Sequence, residues 1–261
     1  MNRHLIIGAS HALFMARALG AVEARYGQAS AGTAAIAQDE FDADWRLLLL
    51  TPRTPFLQFT RTEQGLQVAA NEALMAEVRS YDAPPSKVLM LINGNEHNAR
   101  FMMEHAVPFD FFHPAVPGYV PGRQIVPRAT VEAVVAEALT ATRLTIAHLS
   151  RVLGRAARYV VAPPPPIACE AQIRRQPEIF DVAHARIEQP RVRLKIYEVY
   201  LECLARIAAQ NGAAFVGPPA AHRDAEGFLL ERYWYQATHA NPDYYRSTMA
   251  AHAGERRLAS V

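Results

Sequence analysis

Apolar residues along the chain fall into short continuous runs that alternate with longer amphipathic stretches. Residues 4–10, HLIIGAS, read as a buried strand stopped by a small polar turn. Residues 11–27 follow with Leu13, Phe14, Ala16, Leu19 and Val22 at near-helical spacing, closed by Gly27. Strands are predicted at 45–51 and 56–60, an amphipathic helix at 65–80, and a further strand in the apolar run 87–95, which ends in a Gly turn. Past an irregular, proline-rich stretch at 107–127, the spacing predicts one long helix from Thr130 to about Leu153. The strand RYVVA then meets four prolines, which cannot continue a ladder, and an extended loop region covers 163–189. A helix over 190–210 with Pro190 in its first turn, a strand in AAFVGPP, and a last helix capped by Asn241 with Pro242 as its first residue complete the pattern. The alternation predicts an α/β fold: a three-layer α/β/α sandwich around a mostly parallel, five-stranded sheet.

Composition narrows what such a fold is for. With 261 residues and 51% hydrophobic content, the chain buries a sizeable core as a single domain over residues 1–261. Lys and Arg total 27 against 25 Asp and Glu, and they are scattered, which argues against a nucleic-acid partner. The basic runs at 191–195 and Arg256-Arg257 read as solvated helix faces. Cys169 and Cys203 have neither a CxxC partner nor metal-ligand spacing, so a reducing, cytoplasmic setting is expected. No window reaches the ~18 apolar residues of a membrane span. A metal site drawn from Glu96, His97, His105 and His113 matches no known ligand spacing, and no Gly-x-Gly-x-x-Gly follows the first strand, so neither metal nor cofactor is expected. Oligomeric state is not readable from this pattern.

In open α/β sheets the chemistry collects beyond the carboxyl ends of the strands. Three polar clusters belong there: Gly8-Ala9-Ser10-His11, Asn93-Gly94-Asn95-Glu96-His97-Asn98, and Ala237-Thr238-His239-Ala240-Asn241. A serine at a strand-to-helix turn has its N–H at a helix N-terminus, where developing negative charge is favoured. Taken alone, Ser10 reads as a helix N-cap. Joined to an Asn turn and a late His it reads as a nucleophile, with His239 as base and Asn95 as an oxyanion donor. Ser10 has a single strand before it, which argues against the mid-chain Gly-x-Ser-x-Gly elbow of α/β-hydrolases.

These residues resemble the SGNH (GDSL-like) hydrolases over residues 4 to about 250. In that family a Gly-x-Ser block near the N-terminus carries the nucleophile, a Gly-x-Asn block an oxyanion donor, and an Asp-x-x-His block the base with its orienting acid. GASH is similar to the first block, NGNEHN to the second and QATHANPDYY to the third. The resemblance implies the α/β/α fold and catalysis by Ser10, His239 and Asn95. Gln236 stands where the family has its Asp, so the triad's acid is missing; a backbone carbonyl, or a carboxylate such as Asp224, Glu231 or Asp243, is a candidate replacement. His11, His97 and Tyr235 are candidate substrate contacts, within an aromatic group of Tyr233, Trp234, Tyr235, Tyr244 and Tyr245. The 107–127 stretch is a candidate lid. The expected partner is a small-molecule ester, by resemblance an O-acetylated carbohydrate or another small acyl ester, hydrolysed or transferred. The rival expectation is a catalytically weakened binding protein of the same shape.

Overall fold

A computed structural model describes residues 3–18, 33–35, 44–51, 55–63, 65–79, 85–92, 94, 96–175 and 186–259. The chain divides into two compact units, one of Met1–Asn93, Thr140–Val161 and Ile207–Val216, the other of Gly94–Leu139, Ala162–Arg206 and Gly217–Val261.

The first unit holds the sheet. Its strands are β1 (Arg3–Gly8), β2 (Thr33–Ala35), β3 (Asp44–Leu49), β6 (Lys87–Leu91), β9 (Ala157–Val161) and β10 (Ala214–Val216), in the order β10-β9-β6-β1-β3-β2. Five of them run parallel, as expected, and helices flank them. The sixth, β2, pairs antiparallel with β3 at the edge and was not anticipated. The strands are continuous apolar runs because both faces are covered: Leu5, Ile6 and Ile7 of β1, and Val88 to Leu91 of β6, are fully or almost fully buried. Gly8 pairs with both Leu49 and Leu91, so β1, β3 and β6 end level. Helix α1 (Ser10–Ala18) packs on all three; residues 19–27, with Gly27, lie outside the described residues.

Two predicted helices are corrected. Residues 65–80 form strand β5 (Gly65–Ala70), an antiparallel hairpin with β4 (Leu57–Thr62), followed by helix α2 (Glu72–Arg79). The reason is Asn71, whose side-chain oxygen accepts from the N–H groups of Ala73 and Leu74 and so starts the helix there. The long helix at 130–153 is two, α4 (Arg128–Ala138) in the second unit and α5 (Thr140–Val152) in the first. They part at Leu139, whose ψ of 3° leaves the helical range.

The second unit also contains α3 (Glu96–Phe101), α6 (Glu170–Arg174), α8 (Pro242–Ala259) and most of α7 (Pro190–Gln210). Helix α6 interrupts the loop expected at 163–189. Two short strands, β7 (Phe109–Asp110) and β8 (Gln124–Ile125), pair in parallel within the irregular stretch. That stretch is pinned from inside: the Lys195 ammonium donates to Asp110 at 2.7 Å and to the carbonyls of Phe111 and Gly118 at 2.9 and 2.6 Å, with both charged side chains fully buried. Asp110 also accepts from the N–H groups of Phe111 and Val120, so the buried pair has the extra hydrogen bonds such a pair requires. Among the described residues no helix is long and apolar enough to cross a membrane.

Candidate active site

Ser10 is the first residue of α1, two residues past the end of β1, and is half-buried. The turn that delivers it is tied to both neighbouring strands. The Ala9 N–H donates to the Leu91 carbonyl at 3.3 Å, and the Gly8 carbonyl accepts from Leu50 at 2.7 Å. The Ala9 carbonyl takes the first helical bond, from Leu13. Only glycine fits at position 8: a Cβ there would lie 2.4 Å from the Leu91 oxygen and 2.8 Å from the Ala12 Cβ. The close approach of β6 and of α1 to this point therefore explains the glycine of the Gly-x-Ser block. His11, next on α1, is buried.

In the second unit, Gly94 takes a φ of 153° and donates its N–H to the Glu96 carboxylate at 2.9 Å. The same carboxylate oxygen accepts from the Tyr200 hydroxyl at 2.6 Å, so α7 anchors the start of α3. Asn95 and Asn93 lie outside the described residues. His97 is buried against the Tyr200 ring, with centroids 4.4 Å apart, and near Tyr197 at 5.7 Å. Its Nδ1 has no hydrogen-bond partner among the described residues. Burial pushes its pKa down to about 3, so the ring is neutral.

His239 sits in a short turn closed by the antiparallel bridge between Trp234 and Ala240. Gln236 donates its backbone N–H to the His239 carbonyl at 3.0 Å, and Asn241 donates to the Tyr233 carbonyl at 2.9 Å before its side chain caps α8 through the Tyr244 N–H. The imidazole is 7% exposed, and burial lowers its pKa to about 4. Thr238 Oγ1 lies 3.1 Å from His239 Nδ1. Two carboxylates weighed as replacements for the missing acid are engaged elsewhere: Asp224 accepts from the N–H groups of Glu226, Gly227 and Phe228, and Asp243 pairs with Arg246.

His97 and His239 line one narrow cleft, together with Asn98, Arg193 and the run Pro164–Pro166. The proline run is held by its carbonyls: Pro163 accepts from Tyr197, Pro166 from Leu229, and the following Ile167 and Ala168 from the Arg193 guanidinium at 2.7 and 3.2 Å. Burial lowers the Arg193 pKa to about 10, where it stays protonated at neutral pH. Of the aromatic group, Tyr233, Tyr244 and Tyr245 are buried and pack edge-on, while Tyr235 is 48% exposed. The sequence places Thr238 in the third polar cluster but does not reveal its contact with His239, and it gives no sign of Arg193, whose acceptors come from distant loop carbonyls. A neutral imidazole in this cleft is able to accept a proton at any pH above about 4.

No protein-family model matches the chain, nor does any curated protein sequence. Solved structures share its α/β fold. A protein from Streptococcus pneumonia, provisionally named a platelet activating factor, is 12% identical with a TM-score of 0.51, over 96% of this chain and 81% of that one. The periplasmic domain of a lipopolysaccharide acetyltransferase from Salmonella ser. Paratyphi A is 11% identical with a TM-score of 0.50, over 98% of this chain and 84% of that one. At these identities the likeness is one of fold.

Proposed function

We propose that the protein is a serine acyl hydrolase of the SGNH (GDSL-like) type, with Ser10 as nucleophile and His239 as base. The observation that carries the reading is Ser10 itself, a half-buried serine opening a helix two residues after a glycine position with no room for a side chain. The fold likeness and the three motif blocks support it. Ser10 Oγ attacks the acyl carbonyl carbon and its proton passes to His239 Nε2. The carbonyl oxygen becomes an oxyanion, stabilised by the Ser10 N–H and by Asn95. Collapse breaks the ester C–O bond, His239 returns the proton to the leaving alcohol, and water then cleaves the acyl-serine by the same route.

The proposed substrate is a small acyl ester, with O-acetylated carbohydrate as the leading class. Transfer to an alcohol other than water uses the same acyl-serine, and the likeness to an acetyltransferase domain favours testing it. The rival reading, a catalytically weakened binding protein, rests on Gln236 in place of an acid. Treatment with a fluorophosphonate, read by intact mass and peptide mapping, separates them. We expect one adduct on Ser10, absent in Ser10→Ala and strongly slowed in His239→Ala. A parent protein that never forms the adduct fails the hydrolase reading.

A further inference from the structure

We infer that the Thr238 hydroxyl is the positioning residue for the His239 imidazole, accepting a hydrogen bond from Nδ1–H in place of the carboxylate that position 236 lacks. The inference rests on the hydrolase reading for its catalytic meaning, but its geometry stands within the second unit alone. Thr238 and His239 are both buried, and their side chains meet at 3.1 Å.

An imidazole acts as base at Nε2 only in the tautomer that carries its proton on Nδ1, and the acceptor facing Nδ1 decides the tautomer. Threonine suits this task because a β-branched side chain has few χ1 states, so a fixed backbone fixes the hydroxyl. The backbone here is fixed by the Gln236-to-His239 hydrogen bond and by the Trp234–Ala240 bridge. The chain uses a related arrangement elsewhere in the same unit. Thr248 donates its hydroxyl to the Tyr244 carbonyl at 2.8 Å and its Oγ1 lies 3.5 Å from His222 Nδ1, while His222 Nε2 lies 2.8 Å from Ser247 Oγ.

A hydroxyl differs from a carboxylate in one respect that matters: it orients the ring but brings no charge to the imidazolium formed when Ser10 gives up its proton. Burial lowers the His239 pKa to about 4. The device secures the right tautomer and forgoes the electrostatic help.

The test is nitrogen-15 NMR of the histidine rings at pH 7, with His239 assigned by difference against His239→Ala, on the parent, Thr238→Val and Thr238→Ser. The same proteins are followed for the rate of fluorophosphonate addition to Ser10, with peptide mapping to separate Ser10 from Ser247. The expected result is an Nδ1–H tautomer in the parent and in Thr238→Ser, and a mixture of tautomers in Thr238→Val. The addition rate falls roughly tenfold or more in the valine variant, part of the ~10²–10⁴-fold that a general base contributes, and returns in the serine variant. An Nε2–H tautomer in the parent overturns the inference, as does a valine variant that matches the parent in tautomer and rate. If the tautomers behave as expected while Ser10 never reacts, the hydrolase reading fails and the hold of Thr238 on His239 stands.

Discussion

At the scale of single residues, the start of α1 depends on one missing side chain. Gly8→Ala places a methyl group 2.4 Å from a backbone oxygen that strand pairing holds in place, so the backbone must shift. We expect a loss of about 1–3 kcal/mol or more in urea unfolding, with slower Ser10 phosphonylation because the turn moves with it. The two cleft histidines set a second expectation. In the unfolded chain they take up protons near pH 6.5, whereas in the folded protein His239 resists to about pH 4 and His97 to about pH 3. Between those limits the unfolded state binds more protons, so stability falls as pH drops from about 6.5 towards 3. The urea midpoint at pH 5 should lie below that at pH 7, and His97→Phe, which keeps the ring contact with Tyr200, should narrow the gap. If the proposed hydrolase reading holds, the rate of Ser10 phosphonylation followed against pH should persist down to about pH 4, where His239 becomes protonated. Ser10 and His239 stand out in the sequence as candidates because each sits in a short block of matching residue types. The contact of Thr238 with His239 does not, because it depends on how two neighbouring side chains turn, which no spacing encodes.

At the scale of elements, the pattern predicted strands well where both faces are buried and erred where period and context compete. Residues 65–70 alternate Leu66, Val68 and Ala70 with other residues at a period of two, and α2 begins only where Asn71 caps it. Asn71→Ala should cost about 1 kcal/mol in urea unfolding. The break between α4 and α5 was invisible for a different reason. Val131, Val135, Leu139, Thr142, Ile146 and Leu149 are all buried and keep three- and four-residue spacing straight across it, so one stripe covers two helices. The irregular 107–127 stretch hid its anchor, since a Lys and an Asp 85 positions apart carry no sequence signal of pairing. Lys195→Met should destabilise the protein by about 3–5 kcal/mol, because it strands the Asp110 charge inside; Asp110→Asn in the same molecule should recover most of that loss.

At the scale of the whole molecule, the alternation of strands and helices foretold a mostly parallel sheet but not its order, which draws β9 and β10 from beyond residue 150 to the far side of β6. Neither unit is a continuous piece of chain, and α7 runs without a break from one into the other at Arg206–Ile207. A fragment of residues 1–93 would leave the β6 edge, which pairs with Ala157 to Val160, open to solvent. We expect that fragment to show no dispersed amide NMR spectrum. The buried ammonium of α7 has a consequence for chemical labelling. The chain holds two lysines, Lys87 and Lys195, and the second is sealed under the 107–127 stretch. An amine-reactive ester added to the native protein therefore finds Lys87 as its side-chain target, and acylation of Lys195 reports, peptide by peptide and minute by minute, how often that stretch lifts open.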